Sequence, residues 1–229
     1  MWVEGHASTS HRLRTTHKFP LMPPVDFRLY LITDRHQTAG RPLMSVLGQA
    51  VRAGVRAVQL RERDLPIREL RSLAMEFQRE LPDVRLFIND RVDLALGLRA
   101  HGVHLRESSL AAGVVRGMLA PSQLLGLSVH SLDGVKAAEQ QGADFVVLGP
   151  MYDTPSKRVY GPPIGLSILE QAARSVRVPI FAIGGITATR AREVRRAGAF
   201  GVAVLSSILS AVNVEQATEE MLAAIEVES

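Results

Sequence analysis

From residue 27 onward the chain alternates short apolar runs with longer stretches in which apolar and polar positions repeat at helical spacing. The short runs are too brief for helices and are apolar at consecutive positions, the pattern of strands buried on both faces. They predict strands over 27–33, 56–60, 84–88, 102–105, 124–128, 144–148, 179–183 and 200–205. The longer stretches predict helices over 42–53, 66–80, 92–99, 110–119, 132–141, 165–175, 189–197 and 214–226. Gly54 closes the first helix and Pro66 opens the second, as helix-end preferences require. Three segments share one design: Ala53-Gly-Val-Arg-Ala-Val-Gln-Leu, Gln141-Gly-Ala-Asp-Phe-Val-Val-Leu and Ala197-Gly-Ala-Phe-Gly-Val-Ala-Val. In each, a helix ends on glycine and an aliphatic strand begins almost at once, a sign of internal repetition. Eight strands alternating with eight helices argue for a closed parallel (β/α)8, or TIM, barrel as a single domain over 25–229. An open doubly wound sheet is the alternative, but it has no need of that count.

Composition narrows the picture further. With 229 residues, 46% of them hydrophobic, the chain can bury one substantial core. No apolar run approaches the roughly 18 residues of a spanning helix, so a soluble, cytoplasmic protein without a membrane partner is expected. The absence of cysteine excludes disulfide and thiolate chemistry. The formal charge is +4, and residues 1–24 contribute Arg12, Arg14 and Lys18 against Glu4 alone. No basic stripe interleaved with aromatics appears, so nucleic acid is not expected as a partner. Residues 1–24 have neither periodicity nor the apolar core of a secretory signal. They are expected to form a disordered N-terminal extension, with Met22 an alternative start.

In a barrel, polar residues just past the strand C-termini converge on one mouth. The seventh strand ends in Ala182-Ile-Gly-Gly-Ile-Thr-Ala-Thr, with Thr187 placed as a helix N-cap, and the eighth ends at Ser206-Ser207 before a short helical pattern. Bare backbone N–H groups at Gly184, Gly185, Ser206 and Ser207, backed by helix N-termini, make an anion cradle at the phosphate position of such barrels. After the second strand, Gln59 and Arg61 are in phase to face the mouth, with Glu62, Arg63 and Asp64 beyond. Asn89-Asp90-Arg91 follows the third strand. It either forms a helix-capping Asx turn or supplies a ligand contact from Asn89 and a metal or cation partner from Asp90. The fourth strand delivers His104 and Arg106-Glu107-Ser108-Ser109, and the fifth delivers Ser128 and His130. Two histidines leaving adjacent strands are acid–base candidates. The long loop from Gly149 carries Thr154, Ser156 and Lys157, candidates for a second anion.

Taken together, Leu31-Ile-Thr-Asp, Val58-Gln-Leu-Arg-Glu, Ile88-Asn-Asp-Arg-Val-Asp-Leu-Ala, Gly102-Val-His-Leu, Leu127-Ser-Val-His-Ser, Gly149-Pro through Thr154-Pro-Ser-Lys, and Ile183-Gly-Gly-Ile through Val204-Leu-Ser-Ser resemble the thiamine phosphate synthase/TenI superfamily. The resemblance implies a TIM barrel that handles a thiazole phosphate. It also implies two activities to sort between. A synthase couples an aminopyrimidine diphosphate to the thiazole phosphate. Its Mg²⁺ is held by the Asp of the Asn-Asp pair, here Asp90, and by a second Asp after the fourth strand. The position of that second Asp is Ser109 here, Glu107 stands two places earlier, and the usual lysine after Arg-Glu is Arg63. The TenI branch is a metal-free thiazole tautomerase whose proton carrier corresponds to His130. Gln59 matches the glutamine that synthases place on the pyrimidine. The missing carboxylate sorts the chain to the tautomerase: an isomerase without a cofactor, with His130 catalytic. The alternatives are a Mg²⁺-dependent synthase, with Asp90 as metal ligand, and a non-catalytic regulator that binds thiazole phosphate. The expected partner is a small-molecule thiazole phosphate, and a homo-oligomer is left open.

Overall fold

The computed structural model describes residues 25–153 and 162–226; the extension expected over 1–24 lies outside the described residues. Eight short strands carry the fold: β1 (Leu29–Ile32), β2 (Ala57–Leu60), β3 (Arg85–Asn89), β4 (Gly102–Leu105), β5 (Leu124–Val129), β6 (Phe145–Leu148), β7 (Ile180–Ile183) and β8 (Gly201–Val204). Each pairs in parallel with the next, and β8 returns to β1 with Tyr30 opposite Ala203, so the barrel is closed. Between them run α1 (Leu43–Arg52), α2 (Ile67–Glu80), α3 (Val92–Gly97), α4 (Ala112–Met118), α5 (Leu132–Gln140), α6 (Gly165–Ser175) and α7 (Ala188–Arg196). A short α8 (Ser206–Leu209) precedes the last helix, α9 (Val214–Ile225). The single-domain barrel expected from the alternation is the one observed, with strand boundaries shifted by no more than two residues. A 3-10 turn at Arg35–Gln37 has no counterpart in the expected elements; Asp34 caps it by accepting from His36 N. Among the described residues no helix is long and apolar enough to cross a membrane.

Strand alternation divides the core into two clusters on either side of the sheet. Outward-facing Leu29, Leu31, Val58, Leu86, Ile88, Val103, Leu125, Val146 and Val202 pack against the helices. Each helix returns a stripe at matching spacing, as α2 does with Leu70, Ala74 and Phe77. Inward-facing Tyr30, Phe87, Phe145 and Phe181, joined by Phe27, fill the barrel with aromatic rings. Tyr30 and Phe145 meet edge-on with centroids 5.3 Å apart, and Phe87 and Phe145 do the same at 5.4 Å. Such rings fit only where a neighbouring strand has no side chain. A Cβ at Gly126 would lie 2.4 Å from Phe145 Cζ and 2.6 Å from His104 Nδ1. In phase with this aromatic filling, at or near the strand C-terminal ends, stand Gln59, Asn89, His104 and Ser128. The barrel thus carries an apolar filling whose inward face becomes polar toward the mouth.

Candidate active site

The exits of β1 and β2 are tied together by a carboxylate. Glu62 is 4% exposed and accepts from Thr33 Oγ1 at 2.6 Å and from Arg35 N and Nη1 at 3.1 and 3.2 Å. Thr33 Oγ1 in turn accepts from Arg61 N at 2.9 Å. Glu62 therefore shapes the rim and has its oxygens occupied. Arg35 also grips Asp64 with two 2.6 Å bonds, and the first effect of that contact is to hold Asp64 well below the ordinary carboxylate range. Beneath this rim, Gln59 Nε2 donates to Asn89 Oδ1 at 2.9 Å. Gln59 is only 2% exposed, and its Oε1 is buried with no hydrogen-bond partner among the described residues. A buried acceptor left without a donor costs about 1–3 kcal/mol. It marks a position where a ligand's N–H would be welcome.

The two histidines sit in different surroundings. His104 is 0% exposed, with Nε2 2.9 Å from Ser128 Oγ and Nδ1 3.5 Å from the Tyr30 hydroxyl. Burial, and after it the positive charge of Arg61, push its pKa down to about 3, so it is neutral at physiological pH. Tyr30 is held protonated by its own burial, and its hydroxyl and that of Ser128 flank the two ring nitrogens of His104. His104 thereby fixes the Ser128 hydroxyl and reaches the mouth only through it. His130 is exposed at the end of β5. Its Nδ1 lies 2.5 Å from Gly149 O, which can only accept, so Nδ1 carries a proton and donates. Its backbone N–H donates to Glu107 Oε1 at 3.2 Å.

That contact turns Glu107 toward the β5–α5 joint. The residue facing Asp90 is Ser109, whose hydroxyl donates to Asp90 Oδ1, while Arg106 Nη2 donates to Oδ2. Asp90 has a left-handed backbone (φ 64°), tolerated by Asp better than by most residues, and its N–H donates to His104 O at 2.9 Å. Burial works to raise the Asp90 pKa, but hydrogen bonds from Ser109 and Arg106 and the charges of Arg106 and Arg63 outweigh it, and the carboxyl is held below its ordinary value. Protein-bound Mg²⁺ on a phosphate ligand usually rests on one or two carboxylates. Here both oxygens of the one carboxylate are taken, one by a guanidinium that a dication would have to displace. Among the described residues no group of three or more His, Asp or Glu could hold a metal ion. These donors do not fit a resident Mg²⁺. Reading Asp90 from sequence finds the residue but misses its partner. The signal available was an arginine leaving the strand next to the aspartate's own.

At β7 the chain turns through Gly184 (φ 98°) and Gly185 (φ 68°), conformations open to glycine. A Cβ at Gly184 would also sit 2.7 Å from Pro150 Cβ. Thr187 caps α7, accepting from Arg190 N at 3.3 Å, as its place in the sequence predicts. Ser206 and Ser207 open α8 on the neighbouring strand. Among the described residues the N–H groups of Gly184, Gly185, Ser206 and Ser207 donate to no backbone carbonyl. Next to the turn, Arg190 donates to Gly185 O at 2.8 Å and lies over the Tyr152 ring at 4.4 Å, while Tyr152 donates to Glu193 at 2.6 Å. This prop between β6 and β7 has no signal in local spacing, because its members are 38 or more residues apart in the case of Tyr152 and Arg190. Thr154, Ser156 and Lys157 lie outside the described residues.

Comparison with known proteins decides the family. Residues 29–208 match the family model described as thiamine monophosphate synthase (TMP-TENI). The chain belongs to this family. A Geobacter sulfurreducens protein provisionally named as a thiamine-phosphate synthase is 47% identical over 205 residues, covering 88% of this chain and 96% of its own length. The thiamine-phosphate synthase of Roseiflexus castenholzii is 42% identical over 195 residues, covering 84% and 86%. Among solved structures, thiamine phosphate pyrophosphorylase from Pyrococcus furiosus is 36% identical with a TM-score of 0.74, covering 87% of this chain and 95% of that one. These relatives correct the expectation of a TenI-type tautomerase, and with it the assignment as an isomerase: they are named for the synthase reaction. The expectation gave one missing carboxylate too much weight. His130 suits either branch and could not restore the balance.

Proposed function

We propose that the protein is a thiamine-phosphate synthase, joining the methylene carbon of an aminopyrimidine diphosphate to the ring nitrogen of a thiazole phosphate and releasing pyrophosphate. The observation that carries this reading is Gln59 Oε1, a buried acceptor without a donor in the barrel mouth. An aminopyrimidine brings the donor it lacks in its exocyclic amine. Asn89 holds the Gln59 amide in place through the 2.9 Å bond to its Oδ1, which leaves Oε1 as the amide's unanswered acceptor. The thiazole phosphate binds at the other side of the mouth, on the N–H groups of Gly184, Gly185, Ser206 and Ser207, where short side chains and positive φ let the backbone approach it.

Between these anchors the carbon–oxygen bond to the diphosphate breaks and its electron pair leaves with the pyrophosphate. The thiazole nitrogen lone pair forms the new carbon–nitrogen bond. No proton has to move, so the reaction does not call on a histidine titrating near neutrality. That agrees with a His104 kept neutral by burial and used to orient Ser128. Arg61, whose charge acts on His104, adds positive charge on the side of the barrel where an anionic substrate would bind. His130, held by its Nδ1 on Gly149 O, lines the same mouth as a polar contact.

The test is turnover of the two substrates, with thiamine phosphate and pyrophosphate measured separately, in Mg²⁺ and in EDTA. Gln59→Met should raise KM for the pyrimidine diphosphate roughly 10- to 100-fold, the value of a buried hydrogen bond, and leave KM for the thiazole phosphate unchanged. If the wild-type protein forms no thiamine phosphate under either condition, the reading fails.

A further inference from the structure

The Asp90 cluster departs from the arrangement implied by the family resemblance in a way that balances charge. In that arrangement two carboxylates and a basic residue surround a dication, leaving one net positive charge to face a diphosphate. Here Ser109 replaces one carboxylate, and Arg106 donates to the other from the neighbouring strand exit. Arg63 lies near enough for its charge to act on Asp90. One carboxylate against two guanidiniums again leaves one positive charge. The cluster is also built for position: Ser109 Oγ accepts from Arg106 N at 2.9 Å while donating to Asp90, so backbone and side chain of the loop are fastened together. Only Nη2 of Arg106 is engaged among the described residues, which leaves Nε and Nη1 as donors on a side chain that is 42% exposed.

We propose that Arg106, oriented by Asp90 and Ser109 and assisted by Arg63, takes the place of the divalent cation, so that the diphosphate is bound and its departure stabilised by guanidinium groups. A guanidinium suits this task because its planar fork matches phosphate oxygens and its charge is permanent. As the carbon–oxygen bond breaks, the electron pair passes to the diphosphate oxygen and the added negative charge falls beside Nε and Nη1. Atoms and charge balance between the two substrates and the two products, with no further reactant. The inference rests on the synthase reading, and its test separates the two.

Inorganic pyrophosphate is titrated calorimetrically into the protein in EDTA and again in Mg²⁺. The expected result is binding in EDTA, changed less than about threefold by Mg²⁺, with Arg106→Ala weakening the metal-free affinity at least about tenfold, as loss of a charge-assisted contact implies. The paired substitution Arg106→Gly with Ser109→Asp, which restores two carboxylates, should make pyrophosphate binding require Mg²⁺. Thermal melting of each variant identifies any loss that comes from misfolding, and Arg106→Lys, which keeps charge but not the fork, should fall between wild type and Ala. Binding that needs Mg²⁺ in the wild type, or metal-free affinity unchanged in a folded Arg106→Ala protein, overturns the proposal. If thiamine phosphate forms but only with Mg²⁺, this inference fails while the synthase reading stands. If pyrophosphate binds through Arg106 in EDTA but the two substrates never couple, the arginine site stands and the synthase reading fails.

Discussion

The inside of the barrel and its rim are made by the same strands, yet they hold their residues by different means. Inside, Tyr30, Phe87, Phe145 and Phe181 interlock around sites such as Gly126 where no side chain fits, and the polar His104 among them is stripped of water. At the rim, Glu62, Asp64 and Asp90 are each gripped by an arginine. The interior gains its order from shape, which tolerates no change of volume. The rim gains its order from charge pairs, which can be exchanged if the net charge survives. A carboxylate missing from the rim is therefore a weak guide to function, whereas a residue missing from the filling would be a strong sign of a different molecule.

That contrast can be broken most sharply at Phe145. Phe145→Ala removes a ring that touches Tyr30, Phe87 and Phe181, and unfolding in denaturant should show a loss of about 3–5 kcal/mol. A loss below about 1 kcal/mol would mean that the interior adapts as readily as the rim.

The next effect is pH-dependent. His104 is held neutral in the fold with a pKa of about 3, while an unfolded histidine protonates near 6.5. Between those values the unfolded state binds the extra proton, so the stability held above pH 6.5 is lost as pH falls toward 3. The slope from this one group is about 1.4 kcal/mol per pH unit. Denaturation curves taken across that window, for wild type and for His104→Gln, should diverge, the variant showing the shallower slope. Equal slopes would place the proton elsewhere.

The smallest effect belongs to the other histidine. His130 is exposed and holds one carbonyl, so His130→Asn should change stability by no more than about 0.5 kcal/mol. A larger loss would make His130 part of the scaffold and blur the division between interior and rim.

Much of the barrel was legible before any coordinate was known, because buried parallel strands write themselves as apolar runs and helices as stripes. The glycine turn and the Thr187 cap were equally visible, since φ above zero and capping are local demands. The 3-10 turn at Arg35–Gln37 was not, being organised by Asp34 and by a carboxylate 27 residues away from Arg35. The site divides along the same line. That Gln59, Asn89, His104 and Ser128 share one face follows from strand phase. How deep each lies does not, because depth depends on the stagger of the closed barrel and on which rings lie below.

The sequence by itself determined the element order, the closed barrel, the family and the residues available to the mouth. Period and local backbone preference are properties of neighbouring residues, and those are written in order along the chain. Only the tertiary structure decided that His104 is sealed and neutral, that Gln59 keeps an unanswered oxygen, that Glu107 turns to His130, and that Arg106 and Ser109 together close on Asp90. Partners 16 and 19 residues apart in the chain meet there because the parallel pairing of β3 with β4 sets two strand exits side by side, and burial and charge are fixed by who stands beside whom.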